Sequence, residues 1–155
     1  MAIRVQTEDF DSGREIAALT AGRIDIGAVV TFTGLVRGAS PGKSLAAHSL
    51  ATMTLEHYPG MTEAELQRVE AAALERWPLQ ASLIVHRVGT LAPGDNIVLV
   101  VTASLHRQAA FEAAEFLMDY LKTQAPFWKK EAATDGTGDW VDARASDDQA
   151  IARWR

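Results

Sequence analysis

Cysteine is absent from all 155 residues of the chain. Its absence excludes disulfide bonds, zinc–thiolate sites, iron–sulfur clusters and a thiolate nucleophile within the chain. Any sulfur chemistry must therefore use sulfur carried by a substrate or a partner. The sequence also lacks an apolar run of the ~20 residues that span a bilayer, and its first residues lack the apolar core of a signal peptide. We therefore expect a cytoplasmic protein.

Positive charge is in deficit, with 15 Lys and Arg against 20 Asp and Glu and a formal net charge of -5. Basic groups nevertheless cluster in the C-terminal third, at His106, Arg107, Lys122, Lys129 and Lys130. Nucleic-acid binding would favour a broad basic face and a high pI, and neither is present. A local cationic cluster in an acidic chain instead indicates one pocket for a small anion.

Metal and nucleotide motifs are missing as well. The four histidines, His48, His57, His86 and His106, show no metal-ligand spacing, so we predict no metal and no cofactor. We interpret His57 and His86, which lie in or beside predicted strands, as structural. The segment 38–44 is one residue short of a P-loop and is followed by a predicted strand instead of a helix, so that function is rejected.

The length and the 48% of hydrophobic residues are typical of one globular domain, which we expect to span 1–155. The pattern predicts an α+β fold, a mainly antiparallel sheet with packed helices in the order βαββαββαβ, and a hairpin turn at 93–96. The segment 38–47 is predicted to be a mobile loop, and the end of the chain a polar tail. Strands are predicted at 3–7, 26–36, 48–57, 82–88, 97–103 and 140–144, and helices at 12–21, 62–77 and 107–123.

Two details of the predicted helices can be checked. Thr62 and Glu65 have the spacing of a capping box, with Thr62 as the N-cap of the second helix. In the third helix, the apolar positions at helical spacing should form the buried stripe. They are Ala110, Phe111, Ala114, Leu117, Met118 and Leu121.

The third helix would carry cationic groups at both ends. His106 and Arg107 lie at its predicted N-terminus, where unpaired N–H groups favour a carboxylate or a phosphate. Lys122 shares a face with Glu115 and Met118 near the other end. The alternative for Lys122 is a solvated side chain that stabilises the helix C-terminus.

Pro126 ends that helix, and Phe127 and Trp128 are expected to anchor the following segment against the core. Adjacent lysines held there could lower the pKa of one amine through repulsion and burial, as a catalytic lysine requires. The alternative is a surface lysine pair beside Glu131. Arg37, at the end of a strand, is either an anion ligand or an ordinary surface arginine.

Taken together, these segments resemble the large, catalytic subunit of molybdopterin synthase over nearly the whole chain. The resemblance rests on the combination of motifs, since no single one would suffice. The segment 38–47 looks several residues longer than is usual in that family. The matching segments are GAVVTFTGLVR (27–37), LEHYPGM (55–61), HRVG (86–89), MDYLKTQAPFWKKE (118–131) and WVDAR (140–144).

The resemblance implies an α/β hammerhead fold and a homodimer within a heterotetramer, with a ubiquitin-like small subunit at each end. The small subunit's C-terminal Gly-Gly would carry a thiocarboxylate. The implied activity is that of a sulfurtransferase, which adds two sulfurs to cyclic pyranopterin monophosphate to form the dithiolene of molybdopterin in molybdenum cofactor biosynthesis.

The resemblance also implies site residues. Lys122 and Lys129 would be catalytic, acting on the thiocarboxylate carbonyl and on proton transfers, and His106, Arg107 and Arg37 would hold the phosphate or the pterin. The full set implied to bind substrate is Leu35, Val36, Arg37, His106, Arg107, Lys122, Lys129, Lys130, Glu131 and Arg144.

Two other functions compete with this one. A non-catalytic module that binds ubiquitin-like tails would need a docking surface but not Lys122 or Lys129. An unrelated enzyme acting on phosphate esters would not explain the segment 127–131.

Overall fold

The computed structural model describes residues 2–38, 50–133, 138–141 and 145–155. Most of the predicted 38–47 loop, and Arg144, lie outside these ranges. The described chain is α+β and mainly antiparallel, as predicted. Its elements are β1 (Ala2–Gln6), α1 (Ser12–Thr20), β2 (Ala28–Leu35), β3 (Leu50–His57), α2 (Met61–Arg76), β4 (Leu79–Arg87), β5 (Gly89–Leu91), β6 (Asn96–Ser104), α3 (Arg107–Thr123), β7 (Phe127–Ala133), β8 (Gly138–Val141) and α4 (Ala145–Ala152).

The first sheet has the strand order β1-β4-β6-β2, with β1 parallel to β4 and the other pairs antiparallel. Its central strands, β4 and β6, are buried almost throughout because helices cover both faces. On one face Leu83, Val85 and Leu99 pack with Phe10 and with α1. On the other face, side chains that include Ile84 pack against α2 and α3.

The second sheet has the order β5-β3-β7-β8 and is antiparallel throughout its described pairs. Its strand β7 is absent from the sequence prediction, which placed only an anchored segment there. β7 pairs with β3 in a register that sets Leu55 opposite Lys129 and His57 opposite Phe127. This distant pairing creates a strand from a segment that contains three consecutive charged residues.

One of the connections between the two sheets is only a single residue long. β4 ends at Arg87, the Val88 N–H donates to the Gln6 carbonyl in the first sheet, and β5 begins at Gly89 in the second. Gly89 has φ +94°, which only glycine adopts without strain. The predicted hairpin between β4 and β6 is confirmed, with β5 inserted into its connection.

The start of α2 differs from the prediction. The N-cap is Gly60, and the Glu63 carboxylate, not that of Glu65, accepts the Gly60 N–H at 2.7 Å. The expected capping box was two residues too late. Thr62 lies inside the helix and is fully buried, and its hydroxyl donates a tertiary hydrogen bond to the Pro126 carbonyl at 3.2 Å.

Helix α3 has the predicted bounds, but its buried stripe is wider than predicted. Phe111 is 59% exposed, whereas Ala113 and Phe116 are buried. Phe116 is covered by the edges of Trp77 and Trp154, at centroid distances of 5.2 and 5.6 Å. Aromatic side chains from other parts of the chain therefore bury a residue that lies outside the predicted stripe.

The predicted polar tail is wrong, because the C-terminal residues form α4. Ile151 is buried, and the Trp154 indole N–H donates to the Asp119 carboxylate at 2.6 Å. Arg153 also pairs with Asp119, at 2.7 Å. The C-terminus thus packs on α3.

Candidate functional site

A cavity of about 80 Å³ opens at the C-terminal end of α3. The first sheet, α3 and β7 each contribute part of its wall, and most of that wall is apolar. The lining residues are His86, Ile97, Val98, Met118, Leu121, Lys122, Ala125, Phe127 and Lys129. We call it the lysine cavity, since its two ammonium groups come from Lys122 and Lys129.

The turn after α3 brings the two lysines together. The Gln124 N–H donates to the Tyr120 carbonyl at 2.8 Å and ends the helix, and the Phe127 N–H donates to the Ala125 carbonyl at 2.8 Å before β7 begins. Lys122 lies in the last turn of α3. Lys129 reaches the same cavity from β7, so the structure brings to one cavity the two lysines that the resemblance implies to be catalytic.

Strand alternation separates Lys129 from Lys130. Neighbouring side chains of a strand point to opposite faces. Lys129 is half-buried in the cavity wall, whereas Lys130 is exposed, with its ammonium 5.9 Å from the centre of the Trp140 ring. The cationic neighbour of Lys129 in the cavity is therefore Lys122. The repulsion that we expected between Lys129 and Lys130 does not arise inside the cavity, because Lys130 lies on the opposite face of β7.

The same alternation divides the two aromatic anchors. Phe127 stacks on His86, with ring centroids 3.7 Å apart and planes 14° apart. Trp128 faces outward, is 41% exposed and meets Tyr58 edge to face at 4.8 Å. Phe127 alone anchors the segment in the way that was predicted for both residues.

His86 is the residue of the cavity that sequence reasoning missed, since it was interpreted as structural. Its Nδ1 lies 2.8 Å from the Arg87 carbonyl oxygen, which can only accept, so Nδ1 carries the proton. Burial lowers the pKa of His86 to about 3, and the positive charges of Lys129 and Lys122 act in the same direction. The imidazole is neutral at physiological pH. Its place in the HRVG segment was the available signal.

A second cationic cleft lies at the opposite end of α3. It is lined by His106 and Arg107 together with Gly27, Ala28, Leu105 and Gln108. His106 is the N-cap residue, and its side chain makes no capping hydrogen bond. A side chain at Gly27 would clash, because a Cβ there would lie 2.2 Å from the Leu105 carbonyl oxygen. The chain segments that line this cleft therefore approach as closely as glycine allows.

The two cationic sites are separate within one chain. Arg107 begins α3 and Lys122 lies in its last turn, which places them about 22 Å apart along the helix axis. The structure unites Lys122 with Lys129 but leaves His106 and Arg107 elsewhere. The expectation that all the basic groups form one pocket is wrong for a single chain.

Comparison with known proteins assigns the chain to a family. The model of the family described as MoaE protein matches residues 5–124. A molybdopterin synthase catalytic subunit of Mesorhizobium japonicum is 58% identical over 154 residues, covering 99% of this chain and 92% of that protein. The chain belongs to the MoaE protein family. Its fold is also that of solved members: a MoaE protein from Burkholderia ambifaria has a TM-score of 0.80 at 52% identity, covering 99% of this chain and 98% of that one.

A more distant structure agrees. The molybdopterin synthase from Staphylococcus aureus superposes with a TM-score of 0.79 at 31% identity, covering 90% of this chain and 96% of that one. Membership of the MoaE family places the chain among the catalytic subunits of molybdopterin synthase, which are transferases of molybdenum cofactor biosynthesis. The resemblance inferred from the motifs is confirmed at this level.

The remaining predicted residues of this MoaE protein that the structure describes line neither of the two cavities. Arg37 is exposed just after β2 and lines neither cavity. Leu35 is 52% exposed, whereas Val36 is buried in a cluster against which Ile97, a lysine-cavity residue, also packs. Glu131 lies on the same face of β7 as Lys129. Arg144, the last predicted site residue, lies outside the described residues.

Two further sequence expectations concern absences. Across the described ranges no group of three or more His, Asp or Glu side chains could hold a metal ion. Within those ranges no helix is long and apolar enough to cross a membrane.

Proposed function

We propose that the chain transfers sulfur from the C-terminal thiocarboxylate of a ubiquitin-like small subunit to cyclic pyranopterin monophosphate, forming the dithiolene of molybdopterin. One observation carries the proposal: Lys122 and Lys129 converge on a narrow, largely apolar cavity. A thiocarboxylate is a small anion on a thin peptide tail, and its charge is opposite to that of the two lysines that line this small cavity. The absence of cysteine agrees, because the sulfur must then arrive on a partner.

The lysines suit the chemistry of an acyl–sulfur group. An ammonium group can hold the anionic tail and, once the sulfur is bonded to the substrate, can stabilise negative charge on the carbonyl oxygen while water attacks the acyl carbon and displaces that sulfur, leaving the tail as a carboxylate. The apolar wall, which includes Ile97, Val98 and Phe127, strengthens these charge interactions. Lys122 and Lys129 would also donate and accept protons as the carbon–sulfur bond forms on the substrate.

The cleft at the N-terminus of α3 would hold the phosphate or the pterin. Arg107 offers a charge-assisted contact to phosphate, and the unpaired N–H groups of the first helical turn favour an anion. Both His106 and Arg107 are exposed and accessible. Arg37 remains the third proposed ligand of the substrate.

One substrate cannot contact both cationic sites of a single chain, because about 22 Å of helix separates them. We therefore place the working site in a homodimer, within a heterotetramer that contains two small subunits. One copy would supply Lys122 and Lys129, and the other would supply His106 and Arg107. The small subunits would occupy the distal ends.

Reconstitution tests the activity. The chain is mixed with a thiocarboxylated small subunit and cyclic pyranopterin monophosphate, and molybdopterin is assayed. The matched control is the same small subunit ending in an ordinary carboxylate, which should give no product. Tight binding of the thiocarboxylated partner without any product would favour the competing function, a non-catalytic module for ubiquitin-like tails.

Subunit mixing tests the composite site. Lys122→Ala and Arg107→Ala chains, each impaired alone, are co-refolded so that dimers pair at random. If the two copies share a site, mixed dimers contain one intact site, and about a quarter of wild-type activity returns. No recovery, with mixed dimers confirmed by mass spectrometry, would contradict the shared site.

A further inference from the structure

We propose that His86 is a tail-binding residue of the lysine cavity: its Nε2 accepts a hydrogen bond from the N–H of the last peptide bond of the partner's tail. Lys122 and Lys129 would hold the terminal thiocarboxylate beside it. The inference rests on the proposed function, since that function requires the tail. It adds a hydrogen bond that recognises a peptide N–H of the tail, whereas the two lysines recognise the charge of its terminal group.

Two contacts fix the imidazole ring. The Nδ1–H donates to the Arg87 carbonyl at 2.8 Å, and the ring lies flat on Phe127 at 3.7 Å between centroids. The first contact sets the tautomer and the second sets the ring plane. Nδ1 is hydrogen-bonded to the backbone of β4, and His86 borders the cavity. Nε2 is therefore the ring nitrogen that can accept a hydrogen bond from a ligand in the cavity.

The charges around His86 keep it an acceptor. Lys122 approaches from α3, Lys129 from β7 and His57 from β3, and His57 itself lies 3.4 Å from Glu63. The two ammonium groups and burial disfavour a third positive charge, so Nε2 remains unprotonated. An unprotonated nitrogen accepts hydrogen bonds and repels carbonyl oxygens. The cavity therefore suits a ligand with an N–H beside an anionic group.

The end of a peptide has that arrangement, because its last amide N–H is one residue from the terminal acid group. A pterin ring with a phosphate offers the same chemistry. The tail is the ligand we favour, because a cavity of about 80 Å³ has room for a glycine residue, and the experiments below distinguish the tail from the pterin. Glycine residues, with no side chain, would reach deepest into such a space.

A double-mutant cycle tests the hydrogen bond. Small subunits ending in a carboxylate are made by semisynthesis with the last amide intact or replaced by an ester, which removes the N–H. Binding is measured to the wild-type chain and to His86→Phe, which keeps an aromatic ring against Phe127 and removes both nitrogens. We expect the ester to weaken binding to the wild type roughly three- to tenfold and to have no effect in His86→Phe.

An ester penalty of equal size in both proteins, or no penalty in the wild type, would overturn the proposal. Binding is measured with carboxylate tails, so this result does not depend on sulfur transfer. Failure of the proposed function would appear separately, as a wild-type chain that makes no molybdopterin from a thiocarboxylated partner.

Nitrogen NMR of the wild-type chain gives a test that does not depend on whether the His86→Phe variant folds. With ¹⁵N-labelled histidine, Nδ1 of His86 should be protonated and Nε2 bare, and the Nε2 resonance should shift when the amide tail is added but not the ester tail. A protonated Nε2 in the unliganded chain would overturn the proposal. So would a shift caused by cyclic pyranopterin monophosphate and not by the tail, because the pterin would then be the donor.

Discussion

Thr62 and Pro126 are joined by a hydrogen bond of 3.2 Å from the threonine hydroxyl to the proline carbonyl. The same hydroxyl accepts the Tyr58 N–H at 3.1 Å. Thr62 is fully buried in the first turn of α2, and Pro126 immediately precedes β7. One side chain therefore connects the start of α2 to the strand that carries Phe127 and Lys129.

Replacing Thr62 with valine keeps the shape of the side chain and removes the hydroxyl. Two part-buried backbone groups would lose a partner, so we expect a loss of about 1–3 kcal/mol in the free energy of unfolding, at roughly 0.5–1.5 kcal/mol for each hydrogen bond. Chemical denaturation measures it. The control is Thr20→Val, whose hydroxyl makes only a local bond to the Ile16 carbonyl and should cost at most about 0.5 kcal/mol. Equal stability of the Thr62→Val and wild-type chains would show that the link is dispensable.

The two cavity lysines should be required for molybdopterin formation. Lys122→Ala and Lys129→Ala should each lower the rate roughly 10²–10⁴-fold, the range for loss of a positioned acid or base, with little change in melting temperature. Lys130→Ala is the matched comparison, because it removes the same side chain from the opposite face of β7 and should cost much less. A loss in Lys130→Ala as large as in Lys129→Ala would contradict the division of β7 into a cavity face and an outer face.

Arg107→Ala should mainly raise the KM for cyclic pyranopterin monophosphate, since the lost contact is a charge-assisted bond to the substrate's anion. Steady-state kinetics separate KM from kcat. Arg14→Ala is the control, because Arg14 is an exposed arginine of α1, remote in sequence from both sites. An unchanged KM with a large fall in kcat would instead place Arg107 in the chemistry.

The buried, neutral His86 should make stability depend on pH. Its pKa is lowered from 6.5 to about 3 on folding, so below about 6.5 the unfolded chain binds a proton that the folded chain does not. This stability contribution is complete above pH 6.5 and is lost progressively down to about pH 3. Between pH 7 and pH 5 the wild type should lose about 2 kcal/mol more than His86→Phe. Identical losses, measured by denaturation, would show that His86 titrates normally.

The partner's tail and its globular body should contribute differently to assembly. Ordering a flexible tail costs roughly 1–2 kcal/mol per residue, so the globular surface must supply much of the affinity. Deleting the last two glycines of the small subunit should abolish molybdopterin formation and leave binding measurable by calorimetry. Sedimentation of the chain alone should show a dimer. Complete loss of binding without the glycines, or a monomer at micromolar concentration, would contradict this assembly.

The sequence predicted best what local patterns determine. The bounds of α3 are those expected, because its apolar residues recur at helical spacing and Pro126 ends it. Strand β7 was missed because it begins just after a proline, contains three consecutive charged residues and exists through pairing with the distant β3. Without that strand, the opposite directions of Lys129 and Lys130 could not be foreseen.

Burial explains the other differences. The neutral state of His86 depends on side chains from α3 and β7 that only the tertiary structure brings near it. Phe116 is buried by Trp77 and Trp154, which lie on other elements. The separation of Arg107 from Lys122, by contrast, follows from the predicted length of α3 alone and could have been calculated from the sequence.

The passage of the chain from β4 into β5 has a consequence for cooperativity. Backbone hydrogen bonds tie β4 to the first sheet and β5 to the second, with only Val88 between the two strands. Local unfolding of one sheet would therefore strain the strand that follows or precedes it in the other sheet. We expect the two sheets to unfold together. Because the lysine cavity draws its wall from both sheets, we expect the backbone amides of its floor in β4 and β6 to exchange only when both sheets open, and exchange by local opening to be faster at its rim.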